Sequence, residues 1–238
     1  NRVWFDTNNN ALIDNSEVGV NGVEVQLYAD TGNATGTPTG VFVNTGLTST
    51  TVNGGYYLFD YLEAGEYIVI IPDTEFSATR PLEGYYSSLT SMDGVGVIGE
   101  TAAPDPDNDI DSDDNGTQDD STGGFAAGTI ASLPVTLGPT GNTEPTTDND
   151  FANGSSEDSE QPDGRSNLSV DFGFYQVEIG NLVYRDDDAN GTYLLANDTL
   201  LDNVLVQLYE TNGTEIITGA DGILGTADDA LGPDGVVG

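Results

Sequence analysis

Two blocks of this chain occur twice, in the same order. Asn1-Arg-Val-Trp-Phe-Asp6 returns as Asn181-Leu-Val-Tyr-Arg-Asp186, and Val23-Glu-Val-Gln-Leu-Tyr28 returns as Val204-Leu-Val-Gln-Leu-Tyr209. The offset is 181 − 1 = 180 for the first block and 204 − 23 = 181 for the second, so the later copy carries one inserted residue between them. The chain is therefore read as a tandem module, with residues 1–176 as one complete repeat and 177–238 as an incomplete second one. The repeated blocks are strands by pattern. Val23, Val25 and Leu27 alternate with Glu24, Gln26 and Tyr28, the two-residue period of a ribbon with one buried face. Tyr56–Phe59 and Tyr67–Ile71 are β-branched and aromatic, and further strands are expected at Val41–Val43, Gly128–Leu137 and Leu168–Tyr175. No long helical period of apolar residues occurs. Short strands joined by Gly/Asn/Asp turns predict an all-β, Ig-like sandwich. Nothing like Gly55–Phe59 or Gly65–Ile71 follows the second Leu-Tyr block. The expectation is a chain cut within its second repeat, the alternative being missing strands supplied by a neighbouring chain.

Charge narrows the chemistry. Against 41 acids stand 4 bases (Arg2, Arg80, Arg165 and Arg185), a net charge of −37, with no lysine, histidine or cysteine. Disulfides, the usual zinc, haem and iron–sulfur ligands, Ser-His-Asp and Cys-His triads, Schiff-base lysine and the phosphate-loop lysine are all excluded. Nucleic acid would be repelled. The longest apolar run, Ile68–Ile71, is too short to cross a bilayer, so no direct membrane insertion is expected. With 36% hydrophobic residues in alternating runs, the acidity belongs to loops rather than to a disordered chain. What remains is oxygen chemistry, the ligand set of calcium.

The loops carry that chemistry at specific spacings. Counting Asp6 as position one, oxygen side chains fall at positions one, three, five, nine and twelve: Asp6, Asn8, Asn10, Asp14 and Glu17. Leu12 stands where the loop offers a backbone carbonyl. This is the spacing of the twelve-residue EF-hand loop, except that Ala11 replaces the glycine of the sharp turn. The plainer alternative is an Asx-rich turn with solvated acids. The second copy places Asp186, Asp188, Asn190 and Thr192 in the same frame, has Leu194 at position nine, and reaches its terminal acid at Asp198 after the insertion. A long loop from Glu100 to Gly124 adds Asp107, Asp109, Asp111, Asp113, Asn115 and Asp119. Its acids would repel strongly without a counter-ion, unless the run is solvated and disordered. Asp221, Asp228 and Asp229 form a weaker candidate. Several calcium ions are expected.

These residues carry a family resemblance. The run from Asp6 through Glu17, Gly19 and Gly22 to Leu27-Tyr28 resembles the B-repeat of serine–aspartate repeat surface proteins, the SdrD B-like domain. Gly54-Gly-Tyr-Tyr-Leu-Phe59, Gly65-Glu-Tyr67, the Asp107–Asp113 run and Asn167-Leu-Ser-Val-Asp-Phe-Gly-Phe174 fit longer versions of that repeat. The resemblance implies a Greek-key sandwich of prealbumin or Cna-B type, stiffened by calcium, serving as a stalk or spacer outside the cell. Some Cna-B relatives lock their fold with a Lys–Asn isopeptide bond, which a chain without lysine cannot form.

The leading reading is a calcium-stabilised structural repeat of an extracellular surface protein or filament, with neighbouring repeats or subunits as partners. Calcium at the strand-connecting loops would fix the angle between modules, with Gln176–Ile179 as a short junction. The alternatives are an adhesin module for a protein or glycan, or a filament subunit polymerising by strand complementation. An adhesin would need an exposed aromatic patch, and Gly84-Tyr85-Tyr86 is the stretch to inspect. Paired carboxylates could cleave glycosides, but acids this numerous pair by chance and Trp4 is the only tryptophan, so no enzyme is expected. Trp4, Tyr28, Tyr56, Phe59 and Tyr67 read as core. Of the Asn-x-Ser/Thr sequons at Asn33, Asn115, Asn153, Asn167, Asn190, Asn197 and Asn212, Asn33 and Asn153 look most exposed.

Overall fold

The structure, a computed structural model, describes residues 1–92, 98–101, 103–108, 112–119, 125–138, 144, 166–177, 179–209 and 215–216. The chain divides into two compact units, Asn1–Gln176 and Val177–Gly238.

Unit one is a β-sandwich. One sheet holds β1 (Val3–Phe5), β11 (Phe172–Tyr175) and β5 (Tyr86–Ser87), with β11 in the middle, parallel to β1 and antiparallel to β5. The other runs β3 (Phe42–Thr50), β2 (Glu24–Asp30), β4 (Gly65–Ile71), β9 (Thr129–Ala131) and β8 (Thr117–Asp119), and β10 (Val135–Leu137) also pairs with β4. A small hairpin, β6 (Thr90–Met92) with β7 (Ile98–Glu100), stands apart from both sheets. Val23, Val25 and Leu27 turn inward as their alternation requires. They meet Val69 and Ile71 of β4 and Phe172 and Phe174 of β11 in one core. Each fully buried side chain of this size contributes about 1.5–3 kcal/mol. β4 is buried on both faces, because Ile68 and Ile70 pack against Ala131 and, at the margin, Tyr28, Phe42 and Phe125.

The strand expectations need three corrections. Tyr56–Phe59 is not a strand. Left-handed Asn53, Gly54 and Gly55 return the chain for isolated bridges from Tyr56 to Val52 and Arg2, and beyond them Tyr57 is held by its hydroxyl on the Val170 carbonyl at 2.8 Å. Gly128–Leu137 is two strands, interrupted at Ser132–Pro134, where Ser132 Oγ takes the place of a ladder acceptor for Val69 N at 3.1 Å. Leu168–Tyr175 joins the sheet only from Phe172. Ahead of it, the Asn115 side chain accepts from Asp171 N at 2.9 Å while Asn115 N donates to Asp171 O at 2.9 Å, filling the places a neighbouring strand would occupy. The long loop after Glu100 also contains β8.

The turn after β2 is organised by one carboxylate. Asp30 accepts from Gly32 N, Thr39 N, Thr39 Oγ1 and Gly40 N, closing the 31–40 excursion. Burial acts to raise its pKa, but these donors together hold it below the ordinary value. A depressed folded pKa means that Asp30 stabilises the fold above its unfolded value of about 3.9, and that this contribution is lost as pH falls through the folded value. Asp30→Asn, whose amide turns a donor toward donors, is expected to melt lower than the parent at pH 7. Its melting temperature should also fall less steeply below pH 4. Parallel slopes in the two acid series would remove Asp30 from the acid transition.

In unit two, β12 (Tyr184–Arg185) pairs with β13 (Thr199–Leu200), and β14 (Leu208–Tyr209) with β15 (Glu215–Ile216). Val204 and Val206, the repeat counterparts of fully buried Val23 and Val25, are 45% and 72% exposed. No helix among the described residues is long and apolar enough to cross a membrane.

Candidate metal centres

Loop one leaves β1 at Asp6 and is wound by its own acids. Asp6 accepts Asn10 N at 3.2 Å and Ala11 N at 2.8 Å; Asn8 Oδ1 accepts Asn10 N at 3.1 Å; Asn10 Oδ1 accepts Leu12 N at 2.9 Å. Glu17 closes the ring, taking Thr7 N at 2.7 Å and Asp14 N at 3.0 Å. Asn8 and Asn10 both donate to Asp14 Oδ2, so positions three, five and nine converge. Asp6 and Glu17 are buried, and Leu12 is exposed. Asn9 and Ala11 have φ of 54° and 60°. A left-handed alanine costs about 1–2 kcal/mol relative to the right-handed conformation, which glycine avoids.

Loop two repeats the six bonds donated by backbone N–H groups, but not the two amide bonds to Asp14, because Leu194 stands at position nine. Asp186 accepts Asn190 N at 3.1 Å and Gly191 N at 2.8 Å; Asp188 Oδ1 accepts Asn190 N at 3.2 Å; Asn190 Oδ1 accepts Thr192 N at 2.7 Å. Asp198 takes the place of Glu17, accepting Asp187 N at 3.1 Å and Leu194 N at 2.7 Å. Ala189 and Gly191 are left-handed where Asn9 and Ala11 are. Leu194 still matches Asp14 at an offset of 180, so the inserted residue lies in the turn between Leu194 and Asp198. Carboxylate oxygens of Asp186, Asp188 and Asp198 lie within 4.8 Å of one another. Asp187 is not among them: it pairs with Arg185, Nε to Oδ1 at 2.5 Å, and with Thr199. Hydrogen bonds from Gly191 N and Asn190 N hold Asp186 below the usual carboxylate range.

The acids after Glu100 are dispersed. Asp107 accepts Thr136 N with both oxygens, at 3.1 and 3.0 Å, beside β10. Burial raises its pKa. Asp113 and Asn115 turn inward, Asn115 to serve Asp171. Asp119 lies in β8, opposite Thr129. Asp109, Asp111, Asp221, Asp228 and Asp229 fall outside the described residues. This segment docks on loop one through Ile13 N to Ser112 O at 2.9 Å and Asp114 N to Ala11 O at 3.0 Å.

Among the buried acids that escape sequence reasoning, Asp114 and Asp171 lie beside loop one's docking segment. Asp114 accepts Gly116 N and Gly173 N, both at 3.0 Å, and burial pushes its pKa well up, with nearby Glu100 and Asp6 adding to the rise. Asp171 accepts Arg2 N at 2.8 Å. The available signal for the latter was an acid inside the apolar run Val170-Asp-Phe172.

The other inspected residues are engaged. Tyr85 stacks on Phe5 at 4.5 Å and Tyr86 leans on Tyr175 at 6.0 Å, and both tyrosines are half-buried. Asn33 is half-buried, its amide clamped on Glu66 N and O at 2.9 and 3.0 Å, which corrects the expectation of an exposed sequon. Asn153 lies outside the described residues.

Residues 1–103 match the family described as SdrD B-like domain, so the acidic segment and strands β8 to β11 lie beyond the matched range. Similar proteins include serine-aspartate repeat-containing protein F of Staphylococcus epidermidis, 42% identical over 67 residues, 28% of this chain and 3% of that protein. The fibrinogen-binding protein of the same species is 38% identical over 69 residues, 29% of this chain and 5% of that protein. Colossin-B of Dictyostelium discoideum is 34% identical over 67 residues, 28% of this chain and 2% of that protein. The chain thus spans a small fraction of the length of the curated relatives it matches.

Proposed function

We propose, from the match of residues 1–103 to the SdrD B-like domain family, that this chain is a calcium-stabilised structural repeat, a stalk or spacer, of an extracellular surface protein or filament. The observation that carries this reading is the matched wiring of Asp6–Glu17 and Asp186–Asp198. Two loops of different composition adopt one hydrogen-bonded frame that gathers side-chain oxygens at positions one, three and five and closes on a terminal acid. Asp6, Asn8, Asn10, Asp14, Glu17 and the Leu12 carbonyl would hold one ion. Asp186, Asp188, Asn190, Asp198 and the Thr192 carbonyl would hold another. An all-oxygen, carboxylate-rich set fits calcium, and a bound divalent ion would relieve repulsion in a chain of net charge −37. Loop one's docking on residues 112–114 would pass that order into the sandwich.

Partners are neighbouring repeats or subunits. Val204 and Val206, whose counterparts in unit one are buried, form the face on which the rest of this repeat, or a strand from such a neighbour, would pack. The likeness to a fibrinogen-binding protein supports a protein ligand as the alternative role, though it covers only 5% of that relative.

The test is a thermal melt in millimolar calcium, in chelator and in magnesium. An ion held at ten times its dissociation constant adds about 1.4 kcal/mol per site. A calcium-specific rise in melting temperature, reduced by Glu17→Gln and by Asp198→Asn, is expected. Coincident melts in calcium and chelator would overturn the reading.

A further inference from the structure

We propose that Asn190 is a site of spontaneous deamidation, and that Ala11 is the residue that protects the matching position of loop one, Asn10, from the same reaction. The two loops form an internal comparison. In each, the asparagine at position five folds its carboxamide back over its own C-terminal neighbour: Asn10 Oδ1 accepts Leu12 N at 2.9 Å, and Asn190 Oδ1 accepts Thr192 N at 2.7 Å. In each, the neighbour's N–H is held by the first acid of the loop at 2.8 Å, so this restraint is equal in both. The neighbour itself differs. It is Ala11 in loop one and Gly191 in loop two, both left-handed, at φ 60° and 74°.

That difference bears on a known reactivity of the amide. The backbone nitrogen of the following residue, on losing its proton to solvent, bonds to the asparagine Cγ. The Cγ–Nδ2 bond breaks, ammonia leaves, and a five-membered succinimide forms. Water then opens either of its two C–N bonds, giving aspartate or isoaspartate. The sum is carboxamide plus water to carboxylate plus ammonium, with no change of oxidation state. A β-carbon on the attacking residue hinders ring closure; glycine lacks one and reaches the conformations the ring requires. Asn190 is exposed, and a Cβ at Gly191 would meet nothing within 4 Å, so no neighbouring side chain packs on Gly191 and its nitrogen is restrained by its bond to Asp186. Of the other Asn–Gly pairs, Asn115 is buried with its Oδ1 on Asp171 N and Asn21 Oδ1 serves Gly54 N and Gly55 N, whereas Asn53–Gly54 is a left-handed turn ahead of Tyr56 and the pairs at Asn153 and Asn212 lie outside the described residues.

The products change the loop. Aspartate at 190 adds a carboxylate at position five, whereas isoaspartate inserts a carbon into the main chain and displaces Gly191 N from Asp186. Loop one avoids both at the expense of a strained alanine. The chemistry does not rest on calcium; only its effect on an ion does.

The experiment is incubation of the whole chain in metal-free, mildly alkaline buffer, with deamidation followed site by site by peptide mass spectrometry. Wild type is compared with Gly191→Ala and Ala11→Gly. Asn190 should convert several-fold faster than Asn10. Gly191→Ala should slow Asn190 by a similar factor, and Ala11→Gly should bring Asn10 up toward the Asn190 rate. Circular dichroism checks that each variant is folded, and loop one already accommodates alanine where Gly191 stands. Equal rates at Asn10 and Asn190 in the wild type, or an Asn10 indifferent to Ala11→Gly, would overturn the proposal.

Discussion

Gly55→Ala is expected to leave unit one largely unfolded at 37 °C. A β-carbon at Gly55 would stand 2.1 Å from the Val3 carbonyl oxygen, 2.8 Å from Val20 N and 2.9 Å from Gly19 Cα. All three are backbone atoms. Val3 N donates to Gly55 O at 2.8 Å and Val20 N to Val3 O at 2.8 Å, so none can retreat without opening the hydrogen bonds that hold β1. The residue is also left-handed, at φ 93°. Strain of this kind, coupled to loss of a buried strand, belongs to the rare class of substitutions costing about 4 kcal/mol or more, against a total stability of about 5–15 kcal/mol. Gly46→Ala is the control: its φ is 79° but a Cβ there meets nothing, so only the left-handed penalty of about 1–2 kcal/mol applies. Urea melts of the two variants read the difference. Equal losses would mean that β1 can shift at little cost.

Arg80→Ala should be nearly as damaging, for an electrostatic reason. Glu75 is fully buried in the turn after β4; its Oε1 accepts from the Arg80 guanidinium, while its Oε2 has no hydrogen-bond partner in the structure. Removing the cation leaves a buried carboxylate without compensation, a change that costs about 3–5 kcal/mol. Among the described residues the other arginines are engaged, Arg2 on the Gly54 carbonyl and the Tyr56 ring and Arg185 on Asp187. The double variant Glu75→Leu/Arg80→Ala should recover most of the loss, because an apolar side chain of similar size needs no partner. A loss under about 1 kcal/mol in the single variant would show that Glu75 is held neutral and gains little from the pair.

The strand Val23–Tyr28 was legible because its period is two and one face is apolar, so only one orientation buries it. The loop frames were legible for a comparable reason. Short-range hydrogen bonds from Asp6, Asn8 and Asn10 reach two to five residues ahead, and spacing alone sets them. The repeat offset even located the insertion near Asp198.

Other features depend on residues far apart in the chain. Asn115 looked like one more loop oxygen. Its role arises because Asp171, 56 positions later, needs a backbone partner where no strand is available. Asp107 likewise belongs to Thr136, 29 positions away, and not to the acids beside it. Tyr56–Phe59 has strand composition, yet its partners are Asn1 O for Tyr57 N and a side-chain contact with Val170, so no ladder forms. Asn33, read as an exposed sequon, is clamped by Glu66 across the turn. By itself, then, the sequence determined the β class, the tandem repeat, the acidic oxygen chemistry and the local winding of both loops, because each follows from periodicity or from bonds between near neighbours. Tertiary structure alone decided which acids face inward, which glycines have backbone where a β-carbon would stand and which arginine meets a buried acid, because burial and close approach are set by partners that the chain brings together only on folding.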